Sequence, residues 1–324
     1  MKKSVFIFLW AALLLTACQQ TPEVKVSVRE CAAMPNGRSS ACVTVLDGKA
    51  YVFGGRNSKK TYLNDLWEYD ATTDTWTDLG ETPLKARVNA SMVAYDGKIY
   101  VGLGYAARSA YNDSSYLRDW WSYVPETKAW TRCANFPDVH TVACVSFVQG
   151  EEIYAIYGFG HHYSRDICIY SVANDRWRML PDNSRRARMR FGGKSAMYEG
   201  VLYFGTGYCT DGSLRDWYSV DIRQDRWTSL ASIPGKGREF AACTSMKDYI
   251  YLFGGRCFGG DMTGGEVMNS FMRYTPDADR WEWCGTMPNG RAENLIAFTL
   301  NGKAFWGLGE DENGNVINTL YCIE

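Results

Sequence analysis

The feature that most restricts this chain is an apolar run ending in glycine that recurs six times: Gly54-Gly55, Gly102 to Gly104, Gly158 to Gly160, Gly205 to Gly207, Gly254-Gly255 and Gly307 to Gly309. A variable loop follows each of the first five, and then a segment of one type: LNDLWEY at 63–69, LRDWWSY at 117–123, SRDICIY at 164–170, LRDWYSV at 214–220 and MNSFMRY at 268–274. A tryptophan stands seven residues past the end of each, at Trp76, Trp130, Trp177, Trp227 and Trp281. A unit this short cannot bury its apolar face alone, so a recurring unit implies stacked copies sharing a continuous core.

The runs between the glycines are short, alternating and rich in valine, isoleucine, tyrosine and tryptophan. Asp-Gly, Glu-Gly and Asn-Gly turns begin at Asp47, Asp96, Glu199 and Asn301, the local chemistry of tight hairpins. Each repeat therefore reads as four antiparallel strands: an inner strand, one ending in the glycines, one carrying the tyrosine position and an outer one carrying the tryptophan. Glycine suits a place where packed backbones converge, and the large aromatic rings suit the wider gaps between sheets.

Glycine pair, tyrosine and tryptophan in fixed order resemble the kelch repeat of β-propellers across nearly all of the chain. The resemblance implies an all-β, six-bladed kelch propeller with four antiparallel strands per blade and about 51 residues in each. The sixth copy stops at Ile323, where the tyrosine belongs, before any tryptophan. The segment 23–38 parallels 280–291 through a shared MPNGR, with Val28 in the place of Trp281. The expectation is that Val24 to Arg29 closes the last blade beside Asn318 to Ile323, removing an open sheet edge.

Lys2 and Lys3 precede an apolar stretch from Val5 to Leu15 that is too short to span a bilayer. Leu15-Thr16-Ala17-Cys18 resembles a bacterial lipobox. The expected organisation is a signal peptide over 1–17, a tether over 18–22 lipidated at Cys18, and one propeller over 23–324, anchored at the cell envelope, with the outer membrane favoured. Ten further cysteines would meet an oxidising compartment. Most read as small buried hydrophobes, while Cys209 and Cys257, each two residues past a glycine motif, could bridge neighbouring loops.

Lysine and arginine total 35 against 36 acids, so nothing global draws the chain to nucleic acid or anionic lipid. Any binding charge must be local. Turns built on proline and a basic residue join outer strands to the next inner strands and end at Arg38, Arg87, His140, Arg190, Arg238 and Arg291. In kelch propellers these turns lie around the channel mouth, with the residues after the glycines: Arg56, Tyr105, His161, Tyr208, Arg256 and Glu310. A cationic ring there would take an anion, and tyrosines would stack on a sugar. Alternatively, each arginine bonds carbonyls of the adjoining blade as a repeat-wide structural device.

The first expectation is a monomeric, non-catalytic binding module for a carbohydrate, an acidic one favoured, or for a protein partner, with no cofactor. The second, from resemblance to kelch-type sialic acid mutarotases, is opening and closing of a sugar hemiacetal with Glu239 or Glu293 moving the proton. Galactose oxidase is a further kelch relative, using copper held by histidines and tyrosines. Only His140, His161 and His162 are present, and the last two are adjacent, so no metal is expected. Asp311, Asn313 and Asn315 lack the late glutamate of a calcium loop. No GxxxxGK[ST], HExxH or GxSxG occurs, which leaves ATPase, zinc peptidase and α/β-hydrolase chemistry unsupported.

Overall fold

The computed structural model describes residues 21–106, 113–139, 141–180, 183–259 and 265–324. The described residues form six four-stranded antiparallel sheets, with two short ribbons beside them. Blade 1 runs outward from Cys42–Leu46 through Lys49–Phe53 and Asp65–Asp70 to Thr75–Glu81. The inner strands of blades 2 to 6 are Ser91–Tyr95, Val145–Gln149, Lys194–Tyr198, Ala242–Met246 and Ile296–Leu300. Successive inner strands are neighbours, and the sixth returns to the first, so the sheets form a closed propeller around a central channel.

Local sequence explains the hairpins. Asp47-Gly48 and Asn301-Gly302 take φ values of 48° and 74°, and 51° and 72°, the paired left-handed conformations that match strand twist. The second glycine of each motif, or Gly158 in the third, has a separate role. A Cβ on Gly55 would stand 2.6 Å from the Ser39 carbonyl oxygen, and one on Gly309 would stand 2.4 Å from that of Glu293. The loop entering each blade crosses the backbone there, so no larger residue fits. The first glycine is dispensable, since Leu103, Tyr157, Thr206 and Leu308 occupy its place.

Tyrosine and tryptophan meet across the two outer strands as expected: Tyr69 and Trp76 have ring centroids 4.9 Å apart, and Tyr274 and Trp281 5.1 Å. Odd-numbered blades add a polar lock. The hydroxyls of Tyr69, Tyr170 and Tyr274 donate to Asp74, Asp175 and Asp279 at 2.6, 2.7 and 2.7 Å. Each aspartate also accepts from a backbone N–H of the preceding blade, at Ala32, Ala134 and Ala231. The carbonyls of those alanines accept from Trp76, Trp177 and Trp281. Every polar group of the lock is thereby satisfied at a blade boundary.

The last blade is closed by the N-terminal strand, with a shifted boundary. Val28–Cys31 pairs antiparallel with Leu320–Ile323, Val28 opposite Ile323, which leaves Val24 outside the strand expected to hold it. Residues 22–24 bond instead to blade 5: Val24 N–H donates to the Trp283 carbonyl at 2.8 Å, and Trp283 N–H to that of Pro22 at 2.7 Å. Val24, Val26 and Val28 pack into the core shared by blades 5 and 6, and this alternation fixes the path. Cys209 and Cys257 are both free thiols, so the bridge considered between them is not formed.

Candidate functional site

At the channel mouth each blade contributes one residue from its entering loop and one from just after its glycines, joined by a backbone bridge. The pairs are Ser39 and Arg56, Val88 and Tyr105, Val142 and Phe159, Phe191 and Tyr208, Glu239 and Arg256, and Glu293 and Glu310. The next residue along the entering loop links the blades. Backbone N–H groups of Ser40, Asn89, Ala143, Phe240 and Asn294 donate to the carbonyls of Asn294, Ser40, Asn89, Gly192 and Phe240. A sixth link, from Gly192 to Ala143, is missing among the described residues. The donors hold φ between 49° and 57°, a strain that the circular bonding offsets.

This frame divides the mouth in two. Blades 2 to 4 supply a chain of touching rings: Tyr105 to Tyr116 at 5.6 Å between centroids, Tyr116 to Phe159 at 6.5 Å, Phe159 to Phe191 at 5.6 Å and Phe191 to Tyr208 at 6.0 Å. Tyr208 leads to Phe258 at 6.2 Å, and the Arg256 guanidinium lies 5.3 Å from the centre of that ring. Blades 5, 6 and 1 then supply charge. Arg256 Nε donates to Glu293 Oε1 at 2.7 Å, Asn294 Nδ2 to Glu310 Oε1 at 3.0 Å, and Arg56 pairs with Glu310 and donates to Ser39 Oγ at 3.1 Å. Below the mouth the inner strands enclose a cavity of about 200 Å³ lined in part by Ser91, Ser146, Lys194 and Cys243.

Glu239 stands apart within the charged arc. Its side chain is buried, and among the described residues Oε2 makes no hydrogen bond and the carboxylate forms no ion pair like that of Glu293 with Arg256. Burial, reinforced by the Glu293 carboxylate, pushes its carboxyl up to about 8. Glu293 is also raised by burial, against the pull of Arg256. The two carboxyls thus sit in unlike surroundings: burial raises both, and only Glu293 is paired with a guanidinium that opposes the rise.

Several expected rim residues lie elsewhere. Arg38, Arg87 and Arg190 are fully buried within their blades, in two-pronged pairs with Asp65, Asp119 and Asp216. Arg238 is buried in the same register. These four do not form a solvent-facing ring, because a guanidinium between strands satisfies carbonyls that the blade would otherwise leave unpaired. Arg291 is one residue out of register, Ala292 taking its place, and it turns outward to Glu266 and Glu312. In blade 3 the equivalent position is Thr141, while His140 lies outside the described residues. His161 is exposed and meets the edge of Tyr116, whereas Phe159 is the mouth residue because Gly158, not Gly160, holds the crossing position.

The expected residues that do converge on the mouth are Arg56, Tyr105, Tyr208, Arg256, Glu310, Glu239 and Glu293. Tyr116, Phe159, Phe191, Phe258 and Asn294 were missed. Counting from the hairpin turn, with Gly150 to Gly158 spaced as Asp47 is from Gly55, would have found Phe159, and Tyr116 shares its position with Tyr62 and Tyr163. Phe191, Phe258 and Asn294 follow no residue type common to the six blades. Cys18 and the apolar run before it lie outside the described residues.

Comparison with known proteins gives two family-model matches: the KLHDC2/KLHL20/DRC7 Kelch-repeats domain over residues 13–207 and the Kelch motif over residues 237–288. Kelch-like protein 23 of Homo sapiens is 27% identical over 261 residues, which is 78% of this chain and 42% of that protein. N-acetylneuraminate epimerase of Shigella flexneri is 30% identical over 125 residues, 37% of this chain and 32% of that enzyme. The match thus spans less than half the length of either relative. A solved structure titled "Structure of YjhT" superposes with a TM-score of 0.75 over 90% of this chain and 96% of that one, at 15% identity.

Proposed function

The chain belongs to the kelch-repeat family of β-propellers, and on that premise we propose that its channel mouth is a binding site for a carbohydrate. The observation that carries this reading is the division of the rim into an aromatic arc and a charged arc. A sugar ring has an apolar C–H face that stacks on aromatic rings and an edge of hydroxyls that bonds to carboxylates and guanidinium groups. Arg56 and Arg256 are each matched by a glutamate, so the mouth carries no cationic excess, and a neutral sugar suits it better than the acidic one expected from a ring of arginines.

Calorimetry of neutral and acidic monosaccharides against the wild type and Phe191→Ala tests the proposal. Saturable heat that Phe191→Ala weakens about tenfold or more is expected. Silence from every sugar would overturn it in favour of a protein loop seated in the same mouth.

A second reading is favoured by Glu239 alone. A protonated Glu239 would donate to the ring oxygen of a bound sugar while Glu293 takes the proton from the anomeric hydroxyl. The ring carbon–oxygen bond then breaks, and the ring recloses on either face. The similarity to N-acetylneuraminate epimerase supports N-acetylneuraminate as the substrate to try first. Its anomer exchange, followed by NMR, should be accelerated by the wild type and lost in Glu239→Gln and Glu293→Gln. Exchange no faster than buffer removes this reading and leaves binding alone.

We also propose that lipid on Cys18 tethers the propeller at the cell envelope, as the lipobox-like Leu15 to Cys18 suggests. No helix among the described residues is long and apolar enough to cross a membrane. An N-terminal peptide without acyl chains in the mass spectrum of the native protein would exclude the anchor.

A further inference from the structure

Four blades hold an arginine at one equivalent position, and one of the four has no acid. Nη1 of Arg38, Arg87, Arg190 and Arg238 donates to the carbonyls of Gly54, Leu103, Thr206 and Gly254 at 3.1, 3.0, 2.9 and 3.1 Å. These acceptors are equivalent from blade to blade, so the four side chains run the same way. In blades 1, 2 and 4 the guanidinium fork closes on Asp65, Asp119 and Asp216, with Nη2 at 2.9, 2.8 and 2.7 Å from the second carboxylate oxygen.

In blade 5 that place belongs to Ser270. Both Asp65 and Ser270 open the third strand of their blades, opposite Glu81 and Thr286 in the outer strand. Arg238 has no carboxylate partner among the described residues, its Nε is unpaired, and it is only 1% exposed. A buried cation left without a counter-charge is costly. The three sister carboxylates keep 19%, 21% and 23% exposure while their arginines have none. The acid position is therefore where solvent reaches the fork, and Ser270 there is itself partly exposed.

We propose that blade 5 carries a slot for a small oxyanion (carboxylate, sulfate or phosphate) that docks on the Arg238 fork where the sister blades supply aspartate, with the Ser270 hydroxyl as a further donor. The geometry suits a planar or tetrahedral oxyanion because the guanidinium presents two parallel N–H groups. This slot does not depend on the carbohydrate reading of the mouth.

Thermal unfolding of the full chain, with sulfate replacing chloride at constant ionic strength, tests it, with phosphate and acetate as further arms. The wild type should gain about 3 °C in Tm and then saturate. Ser270→Asp should raise Tm in chloride and abolish the saturable gain, leaving only the shallow, unsaturating rise that sulfate gives any protein by exclusion from its surface. Ser270→Ala should keep the saturable gain, as should Phe191→Ala, which separates this result from that of the mouth. Saturation by acetate alone would assign the slot to a carboxylate, and by sulfate and phosphate alone to a tetrahedral anion. Parallel sulfate responses in the wild type and Ser270→Asp would overturn the proposal, and so would a Ser270→Asp variant less stable than the wild type in chloride.

Discussion

The hydroxyl of Tyr69 donates to Asp74 at 2.6 Å, and through that aspartate blade 1 is fastened to the strand that closes the ring. Asp74 accepts at the same time from the Ala32 N–H at 2.8 Å and from Arg29 at 3.2 Å, and both donors lie in or just beyond the N-terminal strand. The bond is a local cross-strand contact and also the last link of the circle.

Asp74→Ala is expected to cost about 1–3 kcal/mol and Tyr69→Phe about 1 kcal/mol, with the double variant less than additive because both remove one bond. Urea unfolding of the four proteins measures the coupling. Burial opposes ionisation of Asp74, but the hydrogen bonds from Tyr69, Ala32 and Arg29 outweigh it and hold the carboxyl below its ordinary value. Its contribution should thus be complete above about pH 4 and fade as the pH falls further. Independence of pH below 4 would show that Asp74 is not the titrating link.

The buried arginines should separate into two classes. Asp65→Ala leaves the Arg38 guanidinium buried beside an empty place, and a loss of about 3–5 kcal/mol is expected. Arg238→Met removes a cation that already lacks an acid, so in chloride it should fall within about 1 kcal/mol of the wild type. Equal losses in the two variants would mean that the carboxylate adds nothing to the blade.

Glu239 gives a pH dependence of opposite sign. Its folded value of about 8 lies above the ordinary carboxyl range, so the folded chain holds a proton that the unfolded chain releases. This contribution to stability is full below about pH 4 and is lost as the pH rises towards 8. Glu239→Gln should therefore be more stable than the wild type at pH 8 and indistinguishable from it at pH 4. A constant difference between the two stability curves across that range would contradict the assignment.

Deleting residues 21–31 removes both the strand on blade 6 and the contact with Trp283 of blade 5. The bared edge of Leu320–Ile323 should then pair between molecules, giving concentration-dependent oligomers in light scattering. A deletion variant that stays monomeric and as stable as the parent would show that the ring does not depend on this closure.

The sequence by itself determined the repeat architecture, because backbone needs are local. Only glycine tolerates the carbonyl crossing at Gly55 and Gly309, and Asp47-Gly48 sets its own turn. It also made the closing strand legible, since residues 23–38 parallel 280–291, the outer strand of blade 5 and the turn after it. Only the tertiary structure decided which arginines reach the mouth. Arg38 and Arg56 are both basic residues beside a glycine motif, yet one turns between strands to Asp65 and the other turns to Glu310 on a neighbouring blade. Those acids lie 27 and 254 residues away along the chain. No short-range pattern encodes such partners, because the desolvation and pairing that fix a buried charge depend on what surrounds it in space.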